Sequence, residues 1–384
     1  MTLIKVKSRG TDNVSGRRNI AINGAMQVAQ RGTITGIGSS NATVYTACDR
    51  FNIYTTSSAG RLTASQEAVT DLAGFPNALK LQCTTADTSV AAGELFLLGQ
   101  RFEGQDVQGI QKGFSTAKEV TVSFYAKANE SRVHVLEYYD VDNNRQCSKA
   151  FTVTTSWQRF SLTFPADTTG KHDDDINTSI NLLWHLHSGS DLTSGTLNTS
   201  AFAAANAPNR AAGIGSIVAS TNNNFFITGV QVEIGDSASD FEHRSFNEEL
   251  DLCHRYFFKP ITQNTYSPFP IVFNRTVSTG SNGYFAFNIP LPKPMRTIPT
   301  FTHNLSNSNH AGSGVAAAAG NWQFYWQNQG WGSFAGSGNM NTINRAMSGD
   351  SCVHLGNYYI TPSAVQFDQL AIGKDLTLEF SAEL

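Results

Sequence analysis

Alternation of apolar and polar residues is the feature of this chain that most restricts its fold. From residue 120 onward, Val120, Val122 and Phe124 alternate with Thr121 and Ser123. Successive side chains of a β-strand point to opposite faces, so this period of two predicts a strand with one buried face. Several such strands bury enough apolar surface to form a stable core without disulfide bonds.

Nine segments between residues 43 and 245 carry strand signals, and turn-forming residues separate them. Gly, Pro, Asn and Asp are concentrated at 74–76, 140–144, 167–171 and 221–224, where they favour turns. Nine strands in about two hundred residues predict an all-β protein with a two-sheet sandwich. The predicted strands are Val44–Tyr54, Ala78–Cys83, Leu95–Phe102, Lys118–Ala128, Val133–Tyr139, Cys147–Val153, Gln158–Phe164, Ile176–His187 and Phe225–Ile234.

A break in the pattern near residue 245 predicts the end of this first domain. Gly235 and Asp236 interrupt the last alternating segment, and Ser245 with Glu248 forms a capping box that starts a helix. Pro260 is expected to end that helix. We therefore expect four parts: an N-terminal arm and attachment segment at 1–33, a β-sandwich at 34–245, a linking helix at 246–260, and a β-rich, sandwich-like C-terminal tip domain at 261–384.

Charge and cysteine content limit the classes of partner and compartment. The net charge of −3 over 384 residues gives no electrostatic reason to expect nucleic-acid binding. The N-terminus shows no signal peptide, and no segment reaches the ~18 to 20 apolar residues of a membrane helix. The cysteines have no metal-binding or redox spacing and are expected to be reduced and mostly buried, which fits assembly in a reducing cytoplasm. They are Cys48, Cys83, Cys147, Cys253 and Cys352.

Several segments carry a family resemblance. The segment ITGVQVEIGDSASDFEHRSFNEELDLCHRYFFK at 227–259, together with YTACDRF at 45–51 and SWQRFSLTFPADTTG at 156–170, resembles a module of phage tail-fibre and minor structural proteins. The segments FNIPLPKPMRTIPT and the terminal SAEL are similar to marine phage fibres. The resemblance implies a jelly-roll module of carbohydrate-binding type, a homotrimer, and a place in the virion. Its implied partners are tail or neck proteins, held through the N-terminal arm, and a host surface glycan.

An aromatic cluster in the C-terminal region is the ligand-binding candidate that the sequence offers. Indole and phenol rings stack on the apolar faces of sugars, and neighbouring amides can bind hydroxyl groups. The same residue types are enriched in protein cores and subunit contacts, so a core or subunit role is the alternative interpretation. The predicted ligand-binding residues are Trp322, Tyr325, Trp326, Trp331 and Asn328.

Two further groups are candidate metal ligands. His185 and His187 occupy alternate positions of a predicted strand, so they share one face; the alternative is an ordinary surface pair. Asp140 and Asp142 lie in a segment that superficially resembles a calcium loop but lacks its glycine and closing glutamate. A hairpin turn explains them fully. We therefore predict no metal and no cofactor, while the resemblance to jelly-roll modules leaves a structural calcium open.

No arrangement of catalytic residues stands out. The Gly-Ser segments at 36–40 and 213–216 lack the lysine of a phosphate-binding loop, and no internal repeat of the kind found in depolymerising β-helices is evident. We expect a non-enzymatic tail fibre or fibre-like appendage that recognises a host glycan. The alternatives are a purely structural head, neck or tail component and, least favoured, a polysaccharide-degrading enzyme.

Overall fold

The computed structural model describes most of the first 260 residues and selected parts of the remainder. The described residues are 18–56, 58–260, 267–268, 272–276, 284–303, 322–326, 330–332, 352–356, 371–373 and 378–384. The chain divides into two compact units, with the division between Leu250 and Asp251 and with Leu384 assigned to the first unit. The four segment bounds predicted from the sequence stay predictions.

The first unit contains thirteen described strands, and every pairing between them is antiparallel. Strands β1, β4, β5, β13, β7 and β10 form a six-stranded sheet in that order, and β12, β9, β8, β11, β6, β3 and β2 form a seven-stranded sheet. The strands are β1 (Ile34–Ile37), β2 (Ala42–Tyr45), β3 (Asn52–Thr55), β4 (Arg61–Ala68), β5 (Asn77–Thr85), β6 (Leu95–Glu103), β7 (Val120–Ala128), β8 (Arg132–Asp140), β9 (Arg145–Val153), β10 (Gln158–Phe164), β11 (Thr178–Ser188), β12 (Ala203–Ala204) and β13 (Asn224–Ile234).

The two sheets bury their apolar faces against each other. Phe124 of the six-stranded sheet and Trp184 of the seven-stranded sheet are both fully buried, with ring centroids 5.6 Å apart in an edge-to-face arrangement. Phe225 and Phe96 belong to the same continuous core. Each such aromatic side chain removes a large apolar area from water. The prediction of an all-β, jelly-roll type sandwich is confirmed.

Short helices connect some strands, and a longer one follows β13. Ser245 caps the longer helix, because its Oγ accepts the backbone N–H of Glu248 at 3.3 Å, as the capping box predicts. This helix is shorter than predicted and ends at His254. The α-helices are α1 (Gly104–Val107), α2 (Ser190–Thr193) and α3 (Phe246–His254), and short 3-10 helices lie at Gln108–Ile110, Ala207–Asn209 and Ile217–Ala219.

The prediction of a single strand at Val44–Tyr54 is wrong. Strands β2 and β3 form a hairpin in this region, with Tyr45 opposite Asn52. Arg50 in the connecting turn has a φ of 72°, which no strand tolerates. The other eight predicted strands of the sandwich are confirmed, with bounds that differ by a few residues. Strands β1, β4 and β12 were not predicted.

The segment before β1 is built into the sandwich. The backbone N–H of Ile20 donates to the carbonyl of Val232, and Asn19 Nδ2 donates to that of Val230. Asn23 is fully buried, and Met26 lies in the core. Residues 1–17 of the predicted arm lie outside the described residues, and its attachment role stays a prediction.

The second unit is also β-rich where the structure describes it. Apolar and aromatic segments predict strands within 283–295, 298–304, 321–326, 351–360, 364–370 and 374–384. The segment 364–370 lies outside the described residues, and each of the other five is confirmed in part. Three small antiparallel sheets combine β14, β23 and β18; β15, β22, β19 and β20; and β16, β17 and β21. The strands are β14 (Phe257–Phe258), β15 (Ser267–Pro268), β16 (Val272–Thr276), β17 (Tyr284–Pro290), β18 (Thr300–His303), β19 (Trp322–Trp326), β20 (Gly330–Gly332), β21 (Cys352–Gly356), β22 (Ala371–Gly373) and β23 (Leu378–Ser381).

Four of the cysteines are buried free thiols, as predicted: Cys48, Cys83, Cys147 and Cys253. Burial raises the pKa of Cys147 to about 11, so this thiol is protonated at neutral pH and unreactive. The side chain of Cys352 lies outside the description. Among the helices of the described residues, none combines the length and apolar character needed to span a membrane.

Replacing Asn23 by alanine is expected to lower the free energy of unfolding of the sandwich by about 3 kcal/mol. Asn23 has a φ of 60°, and its amide donates to the carbonyls of Val28 and Asp49 and accepts the N–H of Val28. Urea unfolding measures the change. Asn222→Ala, on an exposed turn, is the control. Equal effects of the two substitutions would contradict the structural role of Asn23.

Candidate functional site

A long connection covers part of the outer face of the seven-stranded sheet. Residues 189–219, between β11 and β13, are called the excursion here. Leu192 and Ala211 of the excursion pack on Leu95, Leu97 and Leu183 of the sheet. This second, smaller apolar cluster holds the excursion against a face that would otherwise be exposed to solvent. Charged and aromatic residues collect beside the cluster.

The excursion explains why the interpretation of His185 and His187 as a surface pair is wrong. Both imidazoles are fully buried. His185 lies opposite Leu97 on the outer face, but a register shift after it places His187 opposite Phe96 of the inner core, with the two ring centres 5.7 Å apart, so the predicted shared face is wrong. His187 Nδ1 lies 2.8 Å from Ser216 Oγ of the excursion. The sequence of β11 alone cannot predict this burial, because the covering residues lie about 30 positions later in the chain.

A buried carboxylate, Glu137 of β8, organises the site. Arg210 of the excursion binds it through two nitrogens, with Nε 2.9 Å from Oε1 and Nη2 2.8 Å from Oε2. His185 Nε2 lies 2.9 Å from Oε2. Glu137 is completely buried, so its charge depends on these two partners. The fork of Arg210 matches the two carboxylate oxygens and is thereby fixed in one orientation.

The protonation states of the three groups follow from burial and charge. Burial alone raises the pKa of Glu137, but the charge of Arg210 and the hydrogen bond from His185 outweigh it and lower the pKa. Burial lowers the pKa of His185, opposed only in part by Glu137. His185 is therefore neutral at pH 7, and its Nε2 donates to the carboxylate, which can only accept. Together the ionised pair and the neutral imidazole carry no net charge.

The ring of Tyr139 packs against the guanidinium group. The Arg210 guanidinium carbon lies 5.0 Å from the ring centre of Tyr139, whose hydroxyl donates to Asn144 Oδ1 at 2.6 Å. Burial lowers the pKa of Arg210, but Glu137 raises it above its usual value, and the phenols of Tyr139 and Tyr54 add to the rise.

Tyr54 contributes the most exposed ring of the site. Its position in β3 is opposite Leu97, which in turn is opposite His185. Tyr54 thus lies on the outer face, two strands and roughly 10 Å from β11. Its side chain is 41% exposed. One exposed ring, one ring stacked with arginine and a fixed guanidinium form a surface on which a flat, hydroxyl-bearing ligand can lie.

A second polar array next to the site has the residue types of a catalytic triad. Ser216, His187 and Glu94 are arranged in sequence, with His187 Nε2 3.6 Å from Glu94 Oε2. That separation is longer than a hydrogen bond. Burial lowers the pKa of His187 to about 4, which makes it a weak base at neutral pH. These residues tie the excursion to the sheet and do not form an activated nucleophile.

The aspartates considered as calcium ligands lie at one end of the sandwich. Strand β8 ends at Asp140 and β9 begins at Arg145, so the predicted hairpin turn is confirmed. Asp140, Asp142 and His172 bring donor atoms within 4.8 Å of one another. Lys112 Nζ lies 2.6 Å from Asp140 Oδ2 and already neutralises the buried carboxylate. Among the described residues no such donor group includes His185 or His187.

The aromatic residues predicted to bind a ligand lie in the C-terminal unit. The backbone of β19 confirms a strand at Trp322–Trp326, and β20 places Trp331 opposite Tyr325. The side chains of Trp322, Tyr325, Trp326 and Trp331 lie outside the described residues, as does the whole of Asn328. Their assignment as ligand-binding residues stays a prediction.

The outer face of the six-stranded sheet carries a separate aromatic group. Trp157 donates its indole N–H to Asp71 Oδ1 at 2.9 Å, and Lys127 Nζ lies 2.6 Å from Asp71 Oδ2. The same ammonium lies 4.8 Å from the Trp157 ring centre and 5.4 Å from that of Phe226. The polar groups of this surface bind one another, so it provides a control for substitutions on the other sheet.

Comparisons with known proteins give no family. No family model matches the sequence, and no curated protein is similar to it. Among solved structures, one described as CBM4 is 11% identical, with 55% of this chain and 97% of that chain covered and a TM-score of 0.29. A family 11 carbohydrate-binding module from Clostridium thermocellum is 10% identical, with coverages of 50% and 91% and a TM-score of 0.25.

A phage protein is also among the similar structures. The enzymatically active domain of bacteriophage CBA120 tailspike protein 4 is 10% identical, with a TM-score of 0.29. The match covers 56% of this chain and 21% of that protein. Similarity at this level establishes neither a family nor an activity for this chain.

Stability is expected to fall as the pH drops below about 6.5. Burial lowers the pKa of His134 to about 3 and that of His187 to about 4, from 6.5 in the unfolded chain. Near pH 5 the unfolded chain binds almost two protons that the folded chain excludes. These two residues alone lower the free energy of unfolding by about 2.7 kcal/mol per pH unit.

Urea unfolding at a series of pH values measures this slope. His187→Gln is expected to reduce the slope by about 1.4 kcal/mol per pH unit, since one excluded proton is lost. His243→Gln, at an exposed residue, is the control. A slope that His187→Gln leaves unchanged would show that His187 titrates normally in the folded protein.

Proposed function

We propose that the sandwich binds a glycan on the outer face of its seven-stranded sheet, through Tyr54, Tyr139 and Arg210. One observation carries the proposal: a guanidinium group, clamped by a fully buried carboxylate and stacked on Tyr139, shares the outer face of the sheet with the exposed ring of Tyr54. A solvent-facing arginine normally keeps its rotamer freedom. Here its orientation is fixed before any ligand arrives, which lowers the entropic cost of binding.

The chemistry of the three side chains matches a sugar. A guanidinium group has five N–H donors, and Glu137 engages only Nε and Nη2, so donors remain for hydroxyl groups. The tyrosine rings offer apolar faces to the C–H faces of a pyranose. Because the Glu137–Arg210 pair is neutral overall, the site favours binding through hydrogen bonds and stacking over binding of a highly charged ligand.

In the virion, we propose that this chain forms a tail fibre or fibre-like appendage that recognises a host-surface glycan without enzymatic activity. The sequence segments that resemble phage fibre modules support this assignment, as does the weak basicity of His187 in the Ser216 array. A single shallow site binds weakly. Three copies in a homotrimer, attached through the N-terminal arm to tail or neck proteins, raise avidity by ~100 to 10,000-fold.

A purely structural role in the head, neck or tail is the second candidate. Its support is that Arg210 and Glu137 join the excursion to the sheet, and folding alone uses such a contact. The two candidates differ at Tyr54, because this ring is exposed and lies outside the apolar cluster that holds the excursion on the sheet.

Tyr54→Ala is expected to weaken glycan binding by about 5- to 10-fold, the value of one lost aromatic contact, without changing the midpoint of thermal unfolding. A glycan array with the wild-type chain identifies a ligand, and calorimetric titration then compares the variants. Trp157→Ala, on the outer face of the other sheet, is the matched control and should bind normally.

Two results contradict the proposal. If the wild-type chain binds no glycan at any density on the array, the purely structural role is favoured. If Trp157→Ala weakens binding and Tyr54→Ala does not, the ligand occupies the opposite face.

A further inference from the structure

The side chain of Lys112 ends in a cage of oxygen atoms at one end of the sandwich. Its Nζ lies 2.6 Å from Asp140 Oδ2 and 3.1 Å from Asp167 Oδ2. It also lies 2.7 Å from the carbonyl oxygen of Thr169 and 3.0 Å from that of Gly170. Four oxygens therefore surround one ammonium group that has only three protons to donate. The aromatic ring of Phe202 lies on another side, with its centre 5.8 Å away.

The cage joins parts of the chain that are distant in sequence. Asp140 ends β8, and Asp167, Thr169 and Gly170 belong to the loop that follows β10. Lys112 itself follows the 3-10 helix at Gln108–Ile110. One positive charge thus holds together the ends of three connections. Calcium ions perform the same task in proteins, because carboxylate and carbonyl oxygens of a loop converge on the cation.

Charge balance at the cage depends on Lys112. Asp167 has a second partner, Arg145, whose Nε is 2.8 Å from Oδ2, so two carboxylates are matched by two cations. Lys112 is 4% exposed and Asp140 is fully buried. Removing the ammonium leaves one buried carboxylate charge without compensation.

The separations in the cage fit a larger, singly charged ion better than a divalent one. Calcium binds oxygen at about 2.3 to 2.6 Å and magnesium at about 2.0 to 2.1 Å, whereas the four oxygens here are 2.6 to 3.1 Å from the ammonium nitrogen. These are the separations of a larger, singly charged ion. Potassium, which carbonyl oxygens hold in channel filters, is such an ion.

The geometry points to Lys112 as a built-in substitute for a bound monovalent cation: its ammonium group occupies a cation site, and the site takes potassium when the lysine side chain is removed. The wild-type chain therefore orders these loops without an exchangeable ion at this position. The cage also supports the glycan face indirectly, since Arg145 and Asn143 brace the turn whose Asn144 accepts the hydroxyl of Tyr139.

Lys112→Ala in the full chain tests the inference by thermal unfolding in potassium, sodium or choline chloride at equal ionic strength. In choline the variant is expected to unfold about 10 °C below the wild type, as breaking a buried ion pair predicts. Potassium is expected to restore at least half of the loss, saturably, and more effectively than sodium. The wild-type midpoint should be the same in all three salts.

Lys112→Met is the matched control. Methionine also removes the charge but fills the space of the lysine stem, so its loss of stability should not respond to potassium. If Lys112→Ala is unfolded in choline, folding on addition of potassium is the supporting result. A variant that no monovalent cation rescues overturns the inference.

Thermal unfolding with added calcium tests whether the donor atoms next to Lys112 bind a divalent ion instead. Calcium that raises the wild-type midpoint, with the rise abolished by Asp142→Asn, would mean that Asp140, Asp142 and His172 hold a divalent ion beside Lys112. That result would also overturn the assignment of Lys112 as the cation of this site.

Discussion

Burial of one face of each strand between the two sheets is the constraint on which the rest of the sandwich depends. The core aromatic side chains of both sheets, such as Phe124 and Trp184, occupy this layer. Because strand side chains alternate, fixing the inner face also fixes which residues point outward. Glu137, Tyr139 and His185 are placed on the outer face by the burial of Leu136, Tyr138 and Trp184 between them. The candidate site is a consequence of the register of the core.

The excursion at 189–219 turns part of the outer face into the candidate binding site. Its apolar residues cover Leu97 and Leu183, and its Arg210 reaches Glu137 across the covered surface. A buried carboxylate is unfavourable unless it is paired and hydrogen bonded, and Glu137 satisfies both conditions. The same contacts hold Arg210 in the orientation that we propose for glycan binding, so stability of the excursion and preorganisation of the site have one physical origin.

Much of the sandwich could be predicted because most of its strands have a local sequence pattern of alternating apolar and polar residues. The alternating residues of β7 and β13 predicted their bounds closely, and the capping residue Ser245 predicted the start of α3. Strand β4 was missed because Thr63 and Ser65 leave only Leu62 and Ala64 as an apolar signal. The β2–β3 hairpin was missed because its turn contains Arg50 in a left-handed conformation and has no glycine there to mark it.

The candidate site could not be predicted for a different reason. Glu137 and Arg210 are 73 positions apart, and neither has a sequence neighbour that reveals the other. The burial of His185 and His187 arises from the excursion, so a reading of β11 alone places them at the surface. Asp140 and Asp142 were located correctly at the β8–β9 hairpin, because Asp and Asn favour turns locally. Contacts that depend on the excursion become visible only in three dimensions.

The most direct test of the central claim is nuclear magnetic resonance of the side-chain Nε–H group of Arg210 during titration with a glycan that the chain binds. The account predicts that this resonance and the ring resonances of Tyr54 and Tyr139 shift together and saturate at one ligand concentration. Shifts confined to Trp157 and its neighbours, or to the tryptophans of residues 322–331, with Arg210 unchanged, would contradict it.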